Sequence, residues 1–345
     1  MSTIIRRTVP AVAVASAMIL AATACVPGEN AARAAGGGEG AGQWSTTTLS
    51  IDWATYNPLS LVVKEHGLIE EALGDSVEVE WLQSAGSNKA NELLRSGSID
   101  VGSTAGSAAL LARANGSPIQ VIDIYSQPEW SALVVPAGSD ITSAADLAGR
   151  TVAATVGTDP YFFLLQTLDT AGLTIADVEL QNLQHADGWA ALDAGSVDAW
   201  SGLDPIMAAA EVDAGAQLVY RNVDFNSYGF LNATEEFITE HPDVAQVVVD
   251  AYEQARVWAL ENLDETAALL ADAAGIDIDV ATAVILERSN LDVSGIPGAD
   301  QLAVLETIAP VLVDSGDVAG GEEAVEKALA SIVHAAFAEK AVDAG

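Results

Sequence analysis

The sequence predicts two α/β lobes followed by a helical layer, and three observations carry that reading. From Thr48 to about residue 230, short β-type runs alternate with amphipathic helices. The alternation starts afresh near Trp130, giving two similar series instead of one. From Thr234 onward the pattern turns almost wholly helical. Strands separated by helices of this length favour right-handed βαβ units and mostly parallel sheets.

In the first series, Thr48–Asp52 reads as a strand and Pro58–His66 as a helix stopped by Gly67. Val77–Leu82 alternates with period two, the mark of a half-buried strand. Asn88–Ser96 is helical up to Gly97, Ile99–Gly102 is a strand, Ser107–Ala114 a helix and Ile119–Tyr125 a strand. The second series runs through strands at Ser131–Val135, Thr151–Thr155, Val178–Leu183 and Val197–Trp200. Its helices are Ser143–Leu147, Pro160–Ala171, Gly188–Leu192 and Pro205–Ala210. Pro160 in the first turn and Gly172 past the last follow the usual asymmetry of helix ends. The tail predicts helices at Pro242–Asn262, Asp264–Ala274, Val280–Ser289, Ala299–Ser315 and Gly321–Ala338. The expected division is residues 48–132 plus 230–345 for lobe 1 and 133–229 for lobe 2, with connections near Ser131–Val135 and Ser227–Leu231.

Ahead of the lobes, Arg6 and Arg7 precede an apolar run from Val9 to Ala24, too short for a comfortable membrane span. Residues 1–24 therefore read as an export signal. The chain's one cysteine, Cys25, follows the small residues Ala22-Thr23-Ala24, where a lipoprotein carries its acylated thiol. Residues 25–47 are rich in Gly and Ala and read as a lipid-anchored flexible linker. Ordinary secretory cleavage, releasing a secreted or periplasmic protein, remains the alternative. Either way the body works on the extracytoplasmic side.

Thirteen basic residues face 49 acidic ones, for a net charge of −36. Only Lys64, Lys89, Lys327 and Lys340 are lysines, so no basic patch is available to replace phosphate counterions. Nucleic acid is excluded as a partner. The acids read as a solvated coat, with steering of a cationic ligand as the alternative.

Four strand-to-helix turns carry small polar residues: Trp53–Pro58, Ser84–Asn88, Ser103–Ser107 and Val156–Pro160. Small residues let a ligand reach backbone N–H groups at helix N-termini, and in open α/β sheets these turns gather at the carboxyl ends of the strands. Each turn alone reads equally as a set of N-caps. Four of them over both series point to a cleft.

The second series also resembles a known family. Ala145–Ala153, Gly157-Thr158, Ala171-Gly172-Leu173, Ala194–Trp200 and Leu203-Asp204-Pro205 look like the solute-binding components of ABC importers for nitrate, taurine and aliphatic sulfonates. Leu93–Thr104 fits the same family's helix–Gly–Asp–strand pattern. The resemblance implies a two-lobed periplasmic-binding-protein fold, type II-like, that closes on a small solute without transforming it. It implies pocket residues Trp53, Tyr56, Asn57, Ser84, Ala85, Gly86, Thr104, Ala105 and Ser107 from one lobe. The facing lobe would add Gly157, Thr158, Tyr161, His185, Trp189, Trp200 and Asp204. Trp200 reads equally as core, Asp204 as the cap of the helix after Pro205, and His185 and Lys89 as solvated surface.

The four histidines are dispersed, and no HExxH, GxSxG or P-loop pattern is present. A binder is expected, not an enzyme, with no cofactor and no metal. Its expected partners are a small solute, an ABC permease and, through the N-terminal lipid, the membrane; the protein itself is expected to be a monomer. A binder of a thiamine-type pyrimidine or another neutral or cationic solute is the competing reading, and an enzyme on the same fold a more distant one.

Overall fold

The computed structural model describes residues 44–344. The leader, Cys25 and the linker as far as residue 43 lie outside the described residues; residues 44–47, expected as linker, are instead held to the body, with Trp44 Nε1 donating to the Leu73 carbonyl at 3.0 Å and the Ser45 N–H to Asp243 at 3.0 Å. Among the described residues no helix is long and apolar enough to cross a membrane.

The chain builds β1 (Thr48–Trp53), α1 (Pro58–His66), α2 (Leu68–Leu73), β2 (Glu78–Gln83), α3 (Ser87–Ser96), β3 (Val101–Ala105), α4 (Gly106–Ala114) and β4 (Ile119–Ser126). It then crosses to β5 (Leu133–Val135), β6 (Thr151–Ala154), α5 (Asp159–Thr170), β7 (Glu179–Asn182), α6 (His185–Asp193), β8 (Ala199–Ser201), α7 (Ile206–Ala214) and β9 (Gln217–Tyr220). A return crossing leads to β10 (Gly229–Thr234), and α8 (Glu235–Glu240) and α9 (Pro242–Glu261) follow. The tail continues as α10 (Leu263–Ala274), α11 (Ile278–Ala283), a π-helical turn at Val284–Arg288, α12 (Ala299–Asp314), α13 (Gly321–Leu329) and α14 (Ala336–Ala344).

Two five-stranded sheets result, ordered β2-β1-β3-β10-β4 and β7-β6-β8-β5-β9. In each, one strand runs antiparallel: β10 against β3 and β4, and β5 against β8 and β9. Both are the first strand laid down after a crossing. The chain leaves one sheet by its carboxyl edge and meets the other at the corresponding edge, so the arriving strand runs against its neighbours. The two crossings span residues 127–132 and 221–228. Ser131 therefore belongs to a crossing, whereas Leu133–Val135 and Gly229–Leu231 are sheet strands, so each crossing begins a few residues ahead of where the sequence pattern put the connection.

The sheets are held by interdigitated apolar faces. Leu49, Ile51, Val101 and Leu231 pack with Leu59, Val62 and Val63 of α1 and with Val244, Val248 and Tyr252 of α9. A second cluster runs across both halves: Val121, Ile124 and Phe230 of the first sheet join Leu133 and Val152 of the second, and Phe162 of α5, through Leu305, Ile308 and Leu312 of α12. This helix packs against both α4 and α5. A third cluster holds Trp200 among Val134, Ala153, Leu192 and Met207, with the Trp189 ring 6.2 Å away.

The tail departs from the sequence reading at its end. The single helix expected at Gly321–Ala338 is two, α13 and α14. Between them Ile332 and His334 hydrogen-bond both backbone groups of Val121, covering the free edge of β4. An uncovered edge strand invites pairing with other chains, and this added contact outweighs helical periodicity over residues 330–335. Strand β9 and the short helices α2 and α8 were also not legible in the sequence pattern.

Trp200 is fully buried. Trp200→Ala is expected to lower unfolding stability by about 3–5 kcal/mol, the usual cost of removing a buried large aromatic. A fall in the urea midpoint tests this, and an unchanged midpoint would show that the ring is not core.

Candidate functional site

A cleft of about 340 Å³ opens where the carboxyl ends of both sheets meet. One wall is Thr55, Tyr56 and Gln83–Ala85, the turns after β1 and β2. The facing wall is Gln184–Ala186 at the start of α6 and Leu203–Ile206 after β8. Ala273, Ala274 and Ile276, at the end of α10, close a third side. The tail is therefore part of the site, a contribution that the strand-to-helix turns did not announce.

Five of the residues named from sequence line this cleft: Tyr56, Ser84, Ala85, His185 and Asp204. Gly86 lies at its rim with φ +149°, a backbone that only glycine adopts freely. A Cβ there would stand 2.9 Å from His185 Nε2 in the opposite wall. Gly157 likewise faces across, toward Leu111 and Asn88.

The others lie elsewhere. Asn57 is buried behind the wall, its carbonyl capping α1 through the Ser60 N–H and its amide donating to Ser103 Oγ and Tyr252 Oη. Thr104 donates to the Ala105 carbonyl and accepts from Asn232. The Ala105 N–H is taken by Ser87, and Thr158 Oγ1 donates to the Thr155 carbonyl. Trp53 packs beside α10 with Lys64 Nζ 5.7 Å from its ring centroid. Tyr161 packs edge-on against Phe162, and Trp189 and Trp200 belong to the core. Their polar or aromatic character is consumed by caps, buried hydrogen bonds and packing, which sequence alone does not separate from ligand contact. Lys89 pairs at the surface with Glu92 at 2.9 Å.

Ser107 has a structural partner that spacing did not suggest. Asp159, the first residue of α5, is buried and accepts from Ser107 Oγ at 2.5 Å, Trp130 Nε1 at 2.7 Å, and Ser227 N and Oγ at 2.8 and 2.7 Å. Ser107 belongs to the first sheet's α4, Trp130 to the outgoing crossing and Ser227 to the returning one. One carboxylate thus ties both crossings to both sheets. Burial pushes its pKa up, and these donors oppose that rise.

Behind Ser84 lies Asp52, also fully buried. Its Oδ1 accepts from Ser103 N and Oγ, each at 2.8 Å, while Oδ2 has no partner. Burial raises this carboxyl to about 7, opposed by the Ser103 hydroxyl and N–H that donate to it. In the opposite wall, burial and Arg288 pull on Asp204 in opposite directions, leaving it raised to about 6. Its Oδ1 caps α7 through the Ala208 N–H and pairs with Arg288 Nη1 at 3.2 Å. Arg288 also binds Glu211 at 2.5 Å. Arg288, the partner of the cleft's Asp204, is therefore already matched by two carboxylates. Ser84 Oγ, Gln184 Oε1 and His185 Nε2 are buried without partners, which is the condition of a polar site awaiting a guest.

The family model described as NMT1/THI5 like matches residues 70–266. The chain belongs to the NMT1/THI5-like family. An Escherichia coli (strain K12) protein named for binding aliphatic sulfonates is 28% identical over 250 residues, 72% of this chain and 78% of that one. The crystal structure of the Escherichia coli periplasmic aliphatic sulphonate binding protein SsuA superposes with a TM-score of 0.69 at 25% identity, over 79% of this chain and 89% of that one. The desulfurization enzyme DSZB shares the fold, with a TM-score of 0.64 at 19% identity over 87% and 99% of the two chains. The two-sheet architecture is the periplasmic-binding-protein fold.

Two outcomes follow from the buried carboxyls. Asp159→Ala strands four donors and is expected to cost about 3 kcal/mol or more, since each bond to a charged acceptor contributes about 1.5–3 kcal/mol; a urea midpoint within error of the parent would refute the tie. Asp52 is raised in the folded state, so its contribution is full below about pH 4 and lost as pH rises through about 7. Asp52→Asn should therefore gain stability relative to the parent between pH 5 and pH 8, measured by melting at both pH values. A pH-independent difference would show that Asp52 does not titrate there.

Proposed function

We propose that this protein is the solute-binding component of an ABC importer, capturing a small sulfonate-class solute between its lobes and delivering it to a permease. The observation that carries this reading is the cleft itself. It joins the carboxyl edges of two sheets linked by only two crossings, and buried polar atoms from both walls stand in it unpaired. The sulfonate class rests on the relatives' names, within a group that includes taurine and nitrate. Division into lobes at the two crossings makes closure around the solute the operating motion. Capture without chemistry is the reading adopted, although an enzyme uses the same fold.

A second reading has its own support. Among the described residues lining the cleft no cation stands unpaired, and Asp204 contributes a carboxyl. A neutral or cationic solute, such as a thiamine-type pyrimidine, fits that balance. Melting the protein with each class separates the two: a ligand at 100 times its dissociation constant adds about 2.7 kcal/mol of stability. Sulfonates are expected to raise the melting temperature and to be recovered unchanged by mass spectrometry. Stabilisation by pyrimidines alone would favour the second reading, and recovery of a product would favour an enzyme.

The working place proposed is the extracytoplasmic face of the membrane, with a monomeric body tethered through acylated Cys25. Cys25→Ser should move the protein from the membrane fraction to the soluble fraction without changing solute affinity. Retention in the membrane fraction would end the lipoprotein reading.

A further inference from the structure

His185 has only one way to hold its proton. The Thr155 hydroxyl carries a single hydrogen, and the Leu183 carbonyl oxygen, 2.7 Å from Thr155 Oγ1, accepts it. The imidazole Nδ1 lies 3.1 Å from the same Oγ1. Nδ1 must then be the donor, which leaves a lone pair on Nε2. Burial lowers the ring's pKa to about 4, so it stays neutral at physiological pH. The side chain is 2% exposed, lines the cleft, and its Nε2 has no partner.

Across the cleft, Gly86 and a second orphan stand close to that nitrogen. A point at the position of a Cβ on Gly86 lies 2.9 Å from His185 Nε2 and 3.0 Å from Asn88 Oδ1, which is also buried and unpaired. The Asn88 amide can turn either end inward. His185 cannot, because its Nδ1 hydrogen is committed to Thr155. A sulfonate oxygen is an acceptor only and would meet the Nε2 lone pair with repulsion, so the sulfonate head cannot dock there.

We infer that the solute carries an N–H or O–H group that donates to His185 Nε2, making His185 the residue that selects amino- or hydroxy-bearing sulfonates over plain alkanesulfonates. This rests on the sulfonate-capture reading and narrows it. A site built around a hydrogen-bond acceptor discriminates against analogues lacking the donor, because its own polar atom is then left buried and unpaired.

Titration calorimetry of the full chain with ethanesulfonate, 2-hydroxyethanesulfonate and 2-aminoethanesulfonate tests the inference. The two donor-bearing compounds are expected to bind about tenfold tighter or more, and His185→Leu should bring the three affinities together. Nitrogen-15 NMR of the unaltered chain should show Nε2 as a free lone pair that shifts on adding 2-hydroxyethanesulfonate and not on adding ethanesulfonate. That readout also decides the matter should His185→Leu fail to fold. Equal affinities in the unaltered chain, a preference that survives His185→Leu, or an unmoved Nε2 signal overturns the inference while leaving sulfonate capture standing. Binding of none of the three overturns both.

Discussion

The Asp159 carboxylate, with its four donors, is the contact on which the rest of the arrangement depends. A two-sheet protein whose sheets are joined only by residues 127–132 and 221–228 has little in the backbone to fix their relation. Trp130 and Ser227, one from each crossing, converge on this single group together with Ser107. Asp159 opens α5, and its negative charge sits at that helix's positive end. The group is stabilised by the fold it organises, which offsets the desolvation that its burial imposes. Around it Tyr56, Tyr125 and Trp130 form an aromatic cluster, with ring centroids 6.2 and 6.4 Å apart, excluding water from the root of the crossings.

Behind both walls of the cleft the polar chemistry is layered. Tyr56 Oη donates to the Ser103 carbonyl, Asn57 to Ser103 Oγ, and Ser103 Oγ to Asp52. These chains hold Tyr56 in place from below, so that few side chains need to touch the solute. In the other wall, Arg288 reaches from the tail to Asp204 and Glu211 of the second sheet's helix region. That contact is made beside the outgoing crossing, where the Glu129 N–H donates to the Arg288 carbonyl, and α12 makes another through Leu305 and Ile308. The helical tail is thus a clamp on the relation between the sheets, beyond its role as cover for the first one.

Much of the fold was legible because periodicity and helix punctuation are local properties. Gly67, Gly97 and Gly172 sit at positive φ just past helices whose ends they were read to mark, and long apolar-faced segments such as Pro242–Glu261 leave little doubt about their state. What was not legible depended on partners distant in sequence. The break between α13 and α14 exists because Val121 needs pairing from a segment some two hundred residues later. The site was legible at the level of turns and less so at that of residues. Ser84, Ala85 and Asp204 reach the cleft, whereas Asn57, Thr104 and Thr158, of the same polar type in the same kind of turn, spend their hydrogen bonds inward. The third wall, Ala273 to Ile276, carries no chemical signal at all, being apolar and helical.

The acidic coat and the cleft obey different rules. The charge of −36 is spread over a surface that water solvates, and its field at the cleft is screened over about 10 Å at ordinary ionic strength. Inside, Asp52, Asp159 and Asp204 are each desolvated and each raised in pKa, and His185 is driven neutral. The interior therefore suppresses charge where the exterior accumulates it. A solute entering such a space is recognised by which atoms donate and which accept, since the Arg288 guanidinium is already engaged twice. Selectivity then depends on proton positions fixed by neighbours, as Leu183 and Thr155 fix that of His185, and a substitution at Thr155 would alter recognition without touching the solute.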